Sequence, residues 1–297
     1  MLRLVERTNL DVGKWNALVS KSSSTLFSHS SYLDSTAKNW CVVTDSNYTC
    51  GIAVPYVRFL LSKMAYTPVF VRYLEWIGDE SKEKEAWKII QGQLKRGELN
   101  VRGISDANDV LVFQQLQSAE WYNESAHARR MLRKFAQSGM VIEQVEHHGF
   151  LSSIIQTELP KKVSAMTQGN LLVLTQLVSS LKNEGRLITI GVRSVDGWHG
   201  GIWLLHFNGR YLYLKGAFSE NAKKQGAMYA AMKSAIELAH GSNCVFDFGG
   251  SRVEGVRRFN RQFGGEDVSY SCISWNNAPV WQNAVFTFLR SWRKKRF

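Results

Sequence analysis

The sequence predicts an α/β (α+β) protein of two domains, each a mixed, mostly antiparallel sheet flanked by helices. Three observations carry that expectation. The chain has 297 residues, large for one core and suited to two domains of about 150 each. Its second half places Asp196-Gly197 and Asn208-Gly209 between strand-like apolar runs, among the strongest hairpin signals a sequence offers. The stretch Phe246–Gly265, FDFGGSRVEGVRRFNRQFGG, then compresses a strand, a glycine turn, a basic helix and a helix stop. The domains are set at 1–148, including a basic helix over 126–138, and 149–297.

In the first half, Leu2–Glu6 reads as a strand, Val12–Ser20 as a helix with Trp15, Leu18 and Val19 inward, and Ser28–Ala37 as a short helix. Strands follow at Cys41–Thr44 and Thr49–Arg58, with Asp45–Tyr48 as the turn. Val71–Ile77 is strand-like, Lys82–Leu94 helical and Glu98–Ile104 strand-like. Ala126–Gln137 carries Arg129, Arg130, Arg133 and Lys134 beside apolar Met131, Leu132 and Phe135, and stops at Gly139. It reads either as a bridge between the domains or as a solvated charged face. Met140–Val145 returns to strand.

The second half has a cleaner pattern. Asn170–Lys182 is an amphipathic helix, and Arg186–Val195, His199–Phe207 and Arg210–Gly216 are hairpin-linked strands. A loop over Ala217–Lys224, the helix Gln225–Ala239 and the strand Cys244–Phe248 follow. Gly249-Gly250 supplies the free φ of a sharp turn, and Ser251 can cap the next helix. There Val256, Phe259 and Phe263 share one face, and Arg252, Arg257, Arg258 and Arg261 project elsewhere.

Composition bounds the function. A hydrophobic fraction of 44% with 21% charged residues describes a globular chain and argues against disorder. No apolar run reaches the roughly 18 residues of a membrane span, and Met1-Leu2-Arg3 opens into a strand without a signal-peptide core, so a cytoplasmic location is expected. Cys41, Cys50, Cys244 and Cys272 lack CxxC spacing, and His147-His148 has no third ligand at metal spacing; no metal site is predicted. The net charge is +12. Residues 1–150 hold 18 Lys and Arg against 16 Asp and Glu, and residues 151–297 hold 19 against 9, so the surplus belongs to the second half. Such a field favours a phosphate-bearing partner: tRNA, CoA, a nucleotide-sugar diphosphate or a lipid pyrophosphate, the last with peripheral contact at a membrane surface.

The closing motif resembles that of the Fem-type branch of the GNAT acyltransferase superfamily, which includes aminoacyl-tRNA-dependent peptidyltransferases of peptidoglycan synthesis and acyltransferases encoded with polysaccharide genes. The matching residues are Phe246-Asp247-Phe248-Gly249-Gly250, Gly255-Val256-Arg257-Arg258-Phe259-Asn260 and Phe263-Gly264. Asn260 stands where the family usually carries lysine. Thr25–Leu33, Trp40–Val43 and Ile52–Tyr56 are similar to the entry of the Fem-type first domain. The resemblance implies tandem GNAT-like domains with the active cleft in the second. It also implies transfer of an acyl or aminoacyl group, by direct attack, to an amine of a cell-envelope or polysaccharide precursor. The donor would be acyl-CoA or aminoacyl-tRNA. A CoA-dependent N-acetyltransferase and a catalytically inactive GNAT-like binding protein are the alternatives.

Acyl transfer needs an amine or hydroxyl nucleophile, a proton route and donors for the oxyanion. No Ser/His/Asp elbow or Cys/His signature is present, so a covalent acyl-enzyme is not expected. Tyr213, Lys215, Asp247 and Asn260 are the candidate catalytic residues. Asp247 reads either as a cap of the glycine turn or as a general base. Alternation places Tyr211, Tyr213 and Lys215 on one face. Lys223, Lys224, Gln225, Gly226 and Tyr229 are candidates for the donor's phosphate and pantetheine, at a helix N-terminus that favours anions. Ser219, Asn221, Arg252, Arg257, Arg258, Phe259 and Arg261 are candidate substrate contacts, with Arg258 or Arg261 expected in the cleft in place of the missing lysine.

Overall fold

In the computed structural model, described for residues 1–22, 25–59, 62–103, 109–117, 123–146, 148–158, 167–250, 253–279 and 281, the strands form one continuous sheet. The first half supplies β1 (Leu2–Glu6), α1 (Val12–Lys21), α2 (Ser30–Thr36), β2 (Asn39–Asp45), β3 (Gly51–Phe59) and β4 (Ser62–Tyr66). The two-residue β5 (Leu74–Glu75), α3 (Glu83–Gln93), β6 (Arg96–Arg102), β7 (Asp109–Leu116), α4 (Ala126–Ala136) and β8 (Val141–Val145) complete it. The second half has α5 (Gly149–Glu158), α6 (Gln168–Asn183), β9 (Leu187–Ser194), β10 (Gly197–Phe207) and β11 (Arg210–Phe218). Then come α7 (Glu220–Lys224), α8 (Ala227–Gly241), β12 (Val245–Gly250), α9 (Glu254–Arg261) and β13 (Glu266–Asn276).

The strand order is β1-β2-β3-β4-β6-β13-β7-β12-β11-β10-β9-β8, with β5 beside β6. Both halves repeat one plan, an antiparallel run that closes on a short parallel pair. Met64–Tyr66 lies beside Arg96–Glu98 in the first half, and Arg210–Leu212 beside Val245–Asp247 in the second. Beyond these pairs the partner strands diverge, and each divergence opens a cleft. Strand pairing crosses residue 148 in both directions: β8 pairs with β9, while β13 lies between β6 and β7.

Local chemistry explains the hairpins. Asn208 and Gly209 both take positive φ, at 48° and 67°, the turn whose twist matches the flanking strands. Alanines 230, 231, 235 and 239 line the buried face of α8, so the helix approaches the sheet closely. α4 packs Ala128 and Phe135 into the same core, against α8, and leaves Arg129, Arg130, Arg133 and Lys134 exposed. A first-half helix thus rests on a second-half helix.

Some expected elements differ. Of the strand expected over 71–77, only Leu74–Glu75 forms a ladder and Ile77 adds a single bridge to Gly51, because Phe70 at φ 69° and the Val71 amide bonded to the Pro68 carbonyl hold a turn at its start. The loop expected over 217–224 is replaced by a longer β11 and by α7, which Ser219 caps through its Oγ to the Ala222 amide at 3.3 Å. No element is predicted over 109–116, yet β7 forms there. Its buried Gln114 and Gln115 are satisfied by Asn260, Asp267 and Arg210, partners far along the chain. The cap expected of Ser251, the strand end at Ile104 and His147 lie outside the described residues.

Candidate active site

The motif Phe246–Gly250 folds around a buried carboxylate. Gly249 sits at φ 78°, a conformation that side chains avoid, and the register on β7 slips between Asp247 and Gly250. The Gly249 amide donates to Asp247 Oδ1 at 2.9 Å. Asp247 Oδ2 accepts from Arg72 at 2.9 Å and from Arg210 at 3.4 Å. Burial opposes the Arg72 charge, and the Asp247 carboxylate together with the Tyr73 and Tyr270 rings outweighs it. The guanidinium also lies 4.4 Å from the centre of the Phe113 ring. A Cβ on Gly250 would stand 3.2 Å from Arg72 Cδ, so the second glycine makes room for the arginine. Asp247 thus caps the turn and neutralises two cations, and it is not among the residues lining the cleft.

Past Leu212, β11 leaves β12 and a cleft of about 650 Å³ opens between them. Tyr213, Lys215 and Gly216 line it from β11, Phe248 to Gly250 from β12, and Met228 and Met232 from α8. Phe259 and Asn260 close one side from α9. Phe27, Tyr32, Arg72 and Asn100 reach in from the first half. The expected alternation along β11 is broken. Tyr213 pairs with Leu204 and Lys215 with Trp203, which leaves Leu214 as a bulge, while Tyr211 is buried against the His206 ring, outside the cleft. Burial pushes the Tyr213 phenol up to about 12, with the Gly216 amide opposing. Burial alone draws Lys215 below its ordinary value.

Asn260 borders the cleft, yet its amide serves structure: Nδ2 donates to Gln114 Oε1 at 2.9 Å, and Gln114 Nε2 to Asp267 Oδ1 at 2.7 Å. Arg257 and Arg261 turn to Asp267 Oδ2, at 2.8 and 2.6 Å, and Arg258 is exposed. The expectation that Arg258 or Arg261 enters the cleft is therefore corrected, because Asp267 on β13 draws two of the arginines outward and neither Arg258 nor Arg261 lines the cavity. Arg252 lies outside the described residues.

The cradle expected at the start of α8 is also closed. Gly226 takes φ 86°, and a Cβ there would meet the Met131 carbonyl of α4 at 2.3 Å. Lys223 pairs with Glu220 at 3.1 Å, and Lys224 is exposed. Gln225 follows as the C-cap of α7, Ser219 caps its start and Asn221 is exposed. Tyr229 packs its ring on Phe259 and His127, at 5.0 and 5.6 Å. None of these residues lines the cleft. Sequence reasoning misses Arg72, since no spacing signal joins it to a carboxylate 175 residues later.

Asp267 gives the site a pH dependence. Burial opposes its ionisation, but the Gln114 amide and the Arg257 and Arg261 guanidiniums outweigh burial and hold it at about 2, against an ordinary 3.8. A depressed carboxylate contributes stability above its unfolded value and loses it as pH falls through the folded one. Between pH 3.8 and about 2 the chain should lose thermal stability that Asp267→Asn has already lost, so the two melting curves should converge in acid. A constant gap across that range contradicts the assignment.

No family model matches the chain, and no curated protein matches it. Solved structures do. FemX aligns at a TM-score of 0.64 with 11% identity, over 92% of this chain and 98% of FemX. The C-terminal domain of a putative lysylphosphatidylglycerol synthetase from Agrobacterium fabrum aligns at 0.57 with 12% identity, over 93% and 95%. A tandem GNAT protein from the clavulanic acid biosynthesis pathway aligns at 0.52 with 10% identity, over 94% and 99%. The fold is therefore the tandem GNAT fold, in the arrangement that FemX also adopts.

Proposed function

We propose that this tandem GNAT fold is an acyl or aminoacyl transferase whose second-half cleft delivers an acyl group to an amine by direct attack. The single observation that carries the reading is the divergence of β11 from β12 beside the Gly249-Gly250 turn. Among the described residues it leaves the β12-facing edge of β11 from Tyr213 onward without a ladder partner, so backbone amides there are free of the sheet and able to hold a carbonyl oxygen as it gains charge. Tyr213, kept protonated by burial, donates a proton to the leaving group and takes one back from solvent, which has received the amine's proton. Among the described residues no aspartate or glutamate lines the cleft, so the amine attacks in its neutral form and its proton passes to solvent.

The donor is an acyl-CoA or an aminoacyl-tRNA. Closure of the α8 cradle by Met131 removes the predicted pyrophosphate seat, so a CoA donor would place its phosphates elsewhere. FemX and the lysylphosphatidylglycerol synthetase domain among the similar structures support an acceptor in the cell envelope; the amine is what the sequence resemblance implies, with a polysaccharide precursor as the alternative. The test is transfer by the purified chain from acetyl-CoA, longer acyl-CoAs and aminoacyl-tRNA to amine acceptors, read by mass spectrometry. Tyr213→Phe should lower turnover about a hundredfold while the protein stays folded. Unchanged turnover in that variant removes Tyr213 from the mechanism, and absence of transfer from every donor overturns the reading.

A further inference from the structure

The cleft carries a charge that the proposed transfer does not use. Among the described residues, Arg72 and Lys215 are the basic ones lining it, and no acidic residue faces them across the cavity. Arg72 is matched by Asp247 at 2.9 Å. Lys215 is not matched. Among the described residues no carboxylate, carbonyl or hydroxyl pairs with its ammonium, and burial is the one influence on its protonation. Other polar groups of the wall are engaged: Asn100 donates to the Arg72 carbonyl at 3.0 Å, Asn260 to Gln114 at 2.9 Å and Tyr32 to the Phe70 carbonyl at 2.7 Å. Tyr213, Tyr270 and the β11 backbone add uncharged polar atoms, and Phe27, Met228, Met232, Phe248 and Phe259 supply the apolar surface.

An ammonium withdrawn from water without a counter-charge is costly to the fold. Its cost is offset when a ligand brings the missing anion. One lysine, with the neighbouring arginine already neutralised, matches a single negative charge. A phosphate dianion would call for the cluster of donors that such groups usually meet. Resting on the acyltransferase reading, we propose that Lys215 binds a substrate carboxylate, so that the cleft takes a substrate in which one carboxylate adjoins an apolar body. That carboxylate belongs either to the acyl group or to the acceptor.

Titration calorimetry of the full chain with 4-phenylbutyrate and with its neutral amide, 4-phenylbutyramide, tests the inference. Wild type should bind the acid roughly tenfold more tightly than the amide, the worth of one charge-assisted hydrogen bond. Lys215→Met and Lys215→Gln should each abolish that preference, and circular dichroism should show both folded. Equal binding of acid and amide by wild type overturns the proposal, as does failure of the acid to bind, or a preference that survives in either variant. Two transfer comparisons assign the source. Succinyl-CoA favoured over acetyl-CoA places the carboxylate on the acyl group, and phenylalanine favoured over phenylalaninamide as acceptor places it there. Transfer without preference in either comparison overturns the proposal. Absence of all transfer overturns the acyltransferase reading alone, and carboxylate binding is then judged by the titrations.

Discussion

Replacing Asp247 with asparagine should lower the unfolding free energy by about 3–5 kcal/mol, measured by urea denaturation, because it removes one partner of a buried ion pair. The variant keeps an oxygen for the Gly249 amide but leaves Arg72 and Arg210 without their shared carboxylate. Arg72 is almost wholly enclosed, its side chain 8% exposed, so water cannot stand in for the lost charge. Turnover should fall with stability, since Arg72 lines the cleft and lies against Gly250. A loss below about 1 kcal/mol, the scale of a surface pair, would show that the pair is no more than superficial.

Gly226→Ala is expected to cost about 2–5 kcal/mol. A side chain at its positive φ adds about 1–2 kcal/mol of backbone strain, and forcing a methyl against the Met131 carbonyl adds about 1–3 kcal/mol of overpacking. Backbone, unlike a flexible side chain, has nowhere to move, and the obstructing atom would lie 2.3 Å from the new Cβ. The damage should reach the cleft as well, since Met228 and Met232 line it from the helix that Gly226 begins. Thermal melting monitored by circular dichroism measures the first effect. A variant with wild-type stability would mean that α4 does not press on this turn.

Local signals in the chain were legible, and distant ones were not. The strand and glycine turn at Phe246–Gly250, the Asn208-Gly209 hairpin and the α8 helix follow from periodicity and turn chemistry confined to a few residues. Within the cleft, Tyr213 and Lys215 lie on a strand that the hairpin signals mark, but the bulge at Leu214 that breaks their alternation leaves no local signal. What spacing cannot reveal is which remote segment fills the other wall. Arg72 and Asn100 arrive there through the turn at Phe70 and the pairing of β6, neither of which leaves a trace near residue 247. The α9 arginines show the same limit. Helical periodicity separates them from the apolar face, but only the position of Asp267 on the next strand decides that Arg257 and Arg261 turn away. For Lys223, the unforeseen α7 brings Glu220 one turn away to pair with it.

The place of β13 between β6 and β7 has a consequence for synthesis on the ribosome. The last described strand of the chain completes the sheet of its first half, so β6 and β7 emerge with open edges and keep them until residues 266–276 have been made. Open strand edges template pairing with other chains, and pairings between residues far apart in sequence form slowly. The nascent protein therefore passes through a long interval in which its first half is translated but unfinished, and a chaperone that shields sheet edges would act there, before β13 is made.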